Sequence, residues 1–136
     1  MSEANKAVVK GLYGELSKGN IDVIDSVFDD GFVEHEELPG LAPNKEGVKA
    51  LFAMMRVAFP DLQMVPQQLI AEGDLVSVLA LMTGTQRAEF MGIPATNKRV
   101  SVSLSDWMRV RNGKLTEHWG VMDMAALMQQ LGVGVS

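Results

Sequence analysis

The side chains able to do chemistry are few, and their types narrow the choice. The chain contains no cysteine, which excludes a thiolate nucleophile, a thiolate zinc site, an iron–sulfur cluster and a disulfide framework. Two histidines remain, His35 and His118, and no HxxxH or HxxE spacing sets either beside a second ligand on one helical face, so a metal centre is not expected. What is left is carboxylate chemistry. Asp106 and Asp123 fall in the final stretch at alternate positions with Val102, Leu104, Met108 and Val121, and an acid held away from water acquires a raised pKa suited to general acid/base work.

The chain that must position these groups has 136 residues, the length of one domain, 1–136. Apolar residues make up 47% and charged residues 21%, enough to bury a real core. The net charge of −5, with no Lys/Arg cluster, offers a phosphate backbone no footprint, so nucleic acid is not an expected partner. There is no long apolar run, and MSEANK lacks the basic-then-apolar pattern of a signal peptide. Neither membrane nor export is expected, and the default location is the cytoplasm. A small uncharged molecule or another protein is the expected partner.

Val8, Leu12 and Leu16, with Val9 and Tyr13 beside them, follow the period of an amphipathic helix from about Glu3 to Lys18, ended by Gly19-Asn20. A shorter helix follows in IDVIDSVF, then the apolar segment Phe32-Val33 carries His35. Asn44 can cap a third helix that stops at Phe59-Pro60. From Gln63 the period changes to two. Strands are expected near Val65–Ala71, Leu75–Thr83, Arg99–Val110 and Lys114–Met122, the last two joined at Asn112-Gly113. Helices first and antiparallel strands afterwards define an α+β domain with helices on one face of a curved sheet.

With Arg111 opposite Lys114, an uninterrupted ladder places Met108, Asp106, Leu104 and Val102 against Glu117, Trp119, Val121 and Asp123 on one face. That face should pack under the helices, with Asp106 and Asp123 inward and roughly 13 Å apart, too far for a shared-proton dyad. His118, with Trp107, falls on the opposite face as an interface or packing residue. Asp123 also precedes MAALMQQL and Gly132, so it is equally a helix cap. Asp106 can equally be a residue hydrogen-bonded to a neighbour such as Trp119. His35 is the one inward candidate from the first half. The ten methionines are core filling first and the lining of a pocket second.

Ala58-Phe59-Pro60-Asp61, the Ala71–Asp74 turn, Gly84-Thr85, Phe90-Met91-Gly92-Ile93-Pro94-Ala95-Thr96, Arg109–Lys114, Glu117-His118-Trp119, Asp123 and Gln130-Leu131-Gly132 occur in order over nearly the whole chain. Together they resemble the SnoaL-like polyketide cyclase (ester cyclase) group of the NTF2-like superfamily. The resemblance implies a cone-shaped α+β barrel, with a curved antiparallel sheet wrapped around N-terminal helices and an apolar pocket at the wide end. It also implies dimers or tetramers through the outer sheet face. The activity implied is an intramolecular aldol condensation without metal or cofactor, in which a late aspartate, here Asp123, is the general acid/base. Gln86 stands where members often carry a histidine, and Asp106 near where the cyclases place a pocket histidine.

The expected catalytic set is therefore Asp123, Asp106 and His35, with His35, Asp106 or Gln86 hydrogen-bonding the enolate oxygen. The expected substrate contacts are Gln86, Trp119, Phe59, Phe90, Met108 and Phe32. The substrate expected is a bulky apolar or aromatic carbonyl compound. Epoxide hydrolysis, as in another branch of the superfamily, would need an Arg among the acids, whereas Arg109 faces outward. The alternative from another class is a non-catalytic binding or association module on the same fold, in which Asp123 only caps.

Overall fold

The computed structural model describes residues 2–133; Met1 and the last three residues of the expected 1–136 domain lie outside the described residues. Helix α1 (Ser2–Ser17) turns Val9, Leu12, Tyr13 and Leu16 into the core on one stripe. A one-turn helix α2 (Val23–Val27) leads into strand β1 (Phe28–Glu34). Helix α3 (Lys45–Ala58) starts at Asn44, whose side chain accepts from the Gly47 N–H at 3.0 Å. Strands β2 (Gln63–Glu72), β3 (Leu75–Thr85), β4 (Arg99–Arg111) and β5 (Lys114–Met122) follow, and helix α4 (Met124–Leu131) closes the chain. Among the described residues no helix is long and apolar enough to cross a membrane.

The five strands form one sheet in the order β1-β5-β4-β3-β2. The helices-then-strands pattern thus gives the expected α+β architecture, but the sheet is not wholly antiparallel, because β1 lies parallel to β5. The β4–β5 hairpin leaves the outer edge of β5 with unpaired N–H and C=O groups. A segment far back in the chain can reach that edge from either direction, since its connection runs through α3. β1 covers it. At Asn112-Gly113 both φ angles are positive, 53° and 75°, as a two-residue hairpin turn requires.

The register of this hairpin departs from the uninterrupted ladder, and the departure moves the candidate site. Arg111 pairs with Lys114 and Val110 with Leu115, but a β-bulge at Thr116 then makes Arg109 face Glu117, Met108 face His118 and Asp106 face Gly120. Every side chain of β5 beyond Thr116 changes face. Leu115, His118, Gly120 and Met122 now share the inner face, and Glu117, Trp119 and Val121 the outer one. Charge explains the choice. The straight ladder would bury Glu117 beside Asp106 with no cation, whereas the bulge sends Glu117 out to Arg109 at 2.9 Å and brings an imidazole in to Asp106.

The same shift, together with the end of β5 at Met122, places Asp123 outside. It is exposed, and its carboxylate accepts from the Ala126 N–H at 3.0 Å as the cap of α4, whose other end is closed by Gly132 at φ 80°. The inward position expected for Asp123 is not found. Its backbone N–H donates to the Ser103 carbonyl, and Gln130 bonds both backbone groups of Ser101, so α4 covers the part of β4 that β5 leaves open. Asp123→Ala should lower unfolding free energy by about 1 kcal/mol, while Asp123→Ser keeps most of it. Urea melts of the two variants check this, and an Asp123→Ala midpoint equal to the wild type's would show that the cap contributes nothing.

Candidate active site

Between the helices and the inner sheet face lies a chamber of about 490 Å³, walled by side chains such as Leu12 and Leu16 of α1, Leu51 and Met55 of α3, and Met82 and Leu104 of the sheet. Eight of the ten methionines line it. Unbranched thioethers adapt to ligands of varied shape, so the pocket reading of the methionines holds beside the packing one. Five of the chamber's polar groups converge on one wall, Tyr13 of α1, Glu34 at the end of β1 and Glu36 just after it, Asp106 of β4 and His118 of β5; the exposed Glu37 is the sixth.

His118 organises that wall. Its Nδ1 lies 2.5 Å from Glu34 Oε2 and its Nε2 lies 2.7 Å from Asp106 Oδ1. Burial alone would favour the neutral ring, but the hydrogen bonds and charges of Asp106 and Glu34 override it and raise the His118 pKa to about 10. The ring is therefore an imidazolium that donates at both ends. The Tyr13 hydroxyl donates to Asp106 Oδ2. Burial first, and then the Asp106 charge, holds the phenol far above its ordinary pKa, so it stays a neutral donor. Glu36 stands beside this string, half-buried; burial pushes its carboxyl up, the His118 charge pulls it down, and Asp106 and Glu34 push it up again.

Space for this arrangement comes from Gly120. A Cβ built on it would run into Glu36 Oε1 and would lie 2.7 Å from His118 Cε1 and 3.0 Å from Asp106 Oδ1. As for metals, Glu34, Glu36 and His118 can each bring a ligand atom within 4.8 Å of the other two. Both ring nitrogens of His118 are already held by carboxylates, however, so a cation would first have to displace one of them.

Of the residues expected from sequence, Asp106, Phe90 and Met108 line the chamber. The others lie elsewhere, each for a physical reason. His35 is on the outer face, stacked on Trp119 with ring centroids 4.7 Å apart and bonded to Glu117 at 2.9 Å. Trp119 follows the register shift outward and lies under the Arg109 guanidinium. Gln86 is fully buried, but its amide is consumed by its own loop, donating to the Ala88 and Ile93 carbonyls and accepting from Thr96. It shapes the turn that carries Phe90 and Met91. Phe59 packs behind Phe90, and Phe32 packs on Phe28, both outside the chamber lining.

The sequence reading missed Tyr13, Glu34, Glu36 and His118 as site residues. One signal was present: with Phe32 inward, the period of two along β1 brings Glu34 inward as well. The bulge at Thr116 carried no such signal.

A helix-backed curved sheet thus encloses an apolar chamber with an acid–imidazole string in one wall. The profile of the SnoaL-like polyketide cyclase family matches residues 7–131, and the chain belongs to that family. It is similar in structure to AclR of Streptomyces galilaeus, described as a candidate hydroxylase (29% identity, 97% of this chain and 98% of that one, TM-score 0.87). IdmH of Streptomyces antibioticus, described as a candidate polyketide cyclase, is similar at 28% identity over 95% of this chain and 99% of that one, with TM-score 0.84. A candidate SnoaL-like cyclase of Jannaschia sp. CCS1 shares 26% identity over 98% of this chain and 95% of that one, with TM-score 0.85. No curated protein matches.

Because the folded state holds the His118 proton up to about pH 10 and the free side chain releases it near 6.5, the string's contribution to stability is fully present below about pH 6.5. It is lost as pH rises through about 10. Urea midpoints measured from pH 6 to 10.5 should fall across that window, and the fall should vanish in His118→Gln. A flat profile for the wild type would mean that the imidazolium is not held.

Proposed function

We propose that the protein is a cofactor-independent cyclase that closes a ring by intramolecular aldol condensation of a bulky apolar carbonyl substrate. The observation that carries the reading is the string Glu34–His118–Asp106–Tyr13 set into the wall of an otherwise apolar chamber. Family membership and the relatives described as candidate cyclases support it.

In this reading Asp106 is the general base. It lines the chamber, each of its oxygens accepts one hydrogen bond and so retains acceptor capacity, and the donors Tyr13 and His118 fix its orientation. Asp106 takes a proton from the carbon α to one carbonyl. The resulting enolate carbon attacks a second carbonyl of the same molecule, a C–C bond forms as that C=O π bond opens, and the alkoxide oxygen takes the proton back from Asp106. Asp123, which caps a helix on the exposed surface, has no part in it.

A test that needs no knowledge of the natural substrate follows α-proton exchange of 2-tetralone in D2O by NMR. The wild type should accelerate exchange over buffer, Asp106→Asn should lose about 10²–10⁴-fold of that acceleration, and Asp123→Asn, which still caps, should keep it. Unimpaired exchange in Asp106→Asn would remove Asp106 from the role. A wild type no faster than buffer would leave the binding-module reading.

The outer sheet face supports a homodimer. Ile70, Leu79, Trp107 and Val121 project from it, each close to or above half exposed, on four adjacent strands. Sedimentation at micromolar concentration should give twice the chain mass for the wild type and the chain mass for Trp107→Glu. A monomeric wild type would end the proposal.

A further inference from the structure

The chamber's polar wall is short of positive charge. Four carboxylates, Glu34, Glu36, the exposed Glu37 and Asp106, line the chamber with one imidazolium, and among the described residues no lysine or arginine lines it. Glu34 and Asp106 are both engaged by His118. Glu36 is different. Its backbone N–H donates to Glu34 Oε2 at 3.1 Å, but among the described residues no group donates a hydrogen bond to its carboxylate. That carboxylate reaches over the Cα of Gly120 on the inner face of β5, next to the Asp106 Oδ1 and the His118 ring. A side chain of any size at position 120 would occupy the place that Glu36 takes.

A carboxylate with vacant acceptor sites in an apolar chamber is completed by a ligand that donates. A ligand anion there would meet like charge at short range with the nearest cation already paired, an interaction that low local polarity strengthens. Resting on the chamber being the substrate site, we propose that Glu36 is a specificity-determining residue. It receives the hydroxyl or ammonium end of an apolar or aromatic substrate and turns away substrates that present a carboxylate or phosphate.

Three probes with one aromatic body separate the possibilities by calorimetry at neutral pH: 2-naphthylmethylamine, 2-naphthalenemethanol and 2-naphthoate. Affinity should fall in that order, with the amine bound at least about tenfold more tightly than the naphthoate, a ratio equal to about 1.4 kcal/mol. Glu36→Gln keeps the side chain's size and removes its charge, so it should reduce the amine-to-naphthoate ratio severalfold while leaving the alcohol's affinity nearly unchanged. Naphthoate binding as tightly as the amine would overturn the proposal, as would a ratio that Glu36→Gln leaves intact. If none of the three binds, the chamber is not the ligand site and the proposal fails with it. Wild-type tetralone exchange no faster than buffer, with the charge ranking preserved, would overturn catalysis by Asp106 and leave the Glu36 assignment standing.

Discussion

The constraint on which the site depends is that two carboxylates, Glu34 and Asp106, are buried in an apolar interior and share one imidazolium. Either acid alone would be expensive to hold ionised away from water, and His118 alone would lose its proton there. Together the two ring N–H groups engage both acids, with one negative charge left in excess, and the two His118 contacts tie the end of β1 to β4 through β5. Placing His118 between them requires an extra residue in β5. The bulge at Thr116 is therefore part of the site, although Thr116 itself makes only a weak 3.4 Å bond to the Arg109 carbonyl.

Around this polar string the rest of the molecule supplies an apolar container. Helix α1 contributes both wall and chemistry, since the stripe that packs Leu12 and Leu16 also carries Tyr13, whose hydroxyl ends the string. The 86–98 loop is held from within by the Gln86 amide. At its tip Met91 adopts φ 50°, a conformation unfavourable for a side chain of that size, and is exposed while contributing to the chamber lining. Outside, the residues expelled from the interior form their own network. Glu117 joins His35 to Arg109, and Arg109 reaches on to Asp74 in the β2–β3 turn.

Much of the architecture was legible before any coordinates. Helix periodicity over residues 3–18, the cap at Asn44, the change to period two after Gln63 and the Asn112-Gly113 turn are local signals, and local signals survive into the fold because nothing non-local competes with them. The family resemblance was carried by motifs in order, which register does not disturb. The site was read less well. Asp106 falls inward as expected, but the uninterrupted ladder assigns Asp123 and Trp119 to the interior, and one inserted residue reverses that assignment for every side chain beyond it; His35, the inward candidate from the first half, lies outside beside Trp119.

Sequence by itself determined the helices, the strands, the last hairpin turn, the lack of thiol chemistry and an apolar interior containing at least one acid, because these follow from residue types and short-range spacing. Only the tertiary structure decided which histidine faces inward and which acids it meets. That choice balances the burial of charge between β1 and the β4–β5 hairpin, where Glu34 and His118 are 84 positions apart in the chain, and a balance of that kind exists only once the segments are together.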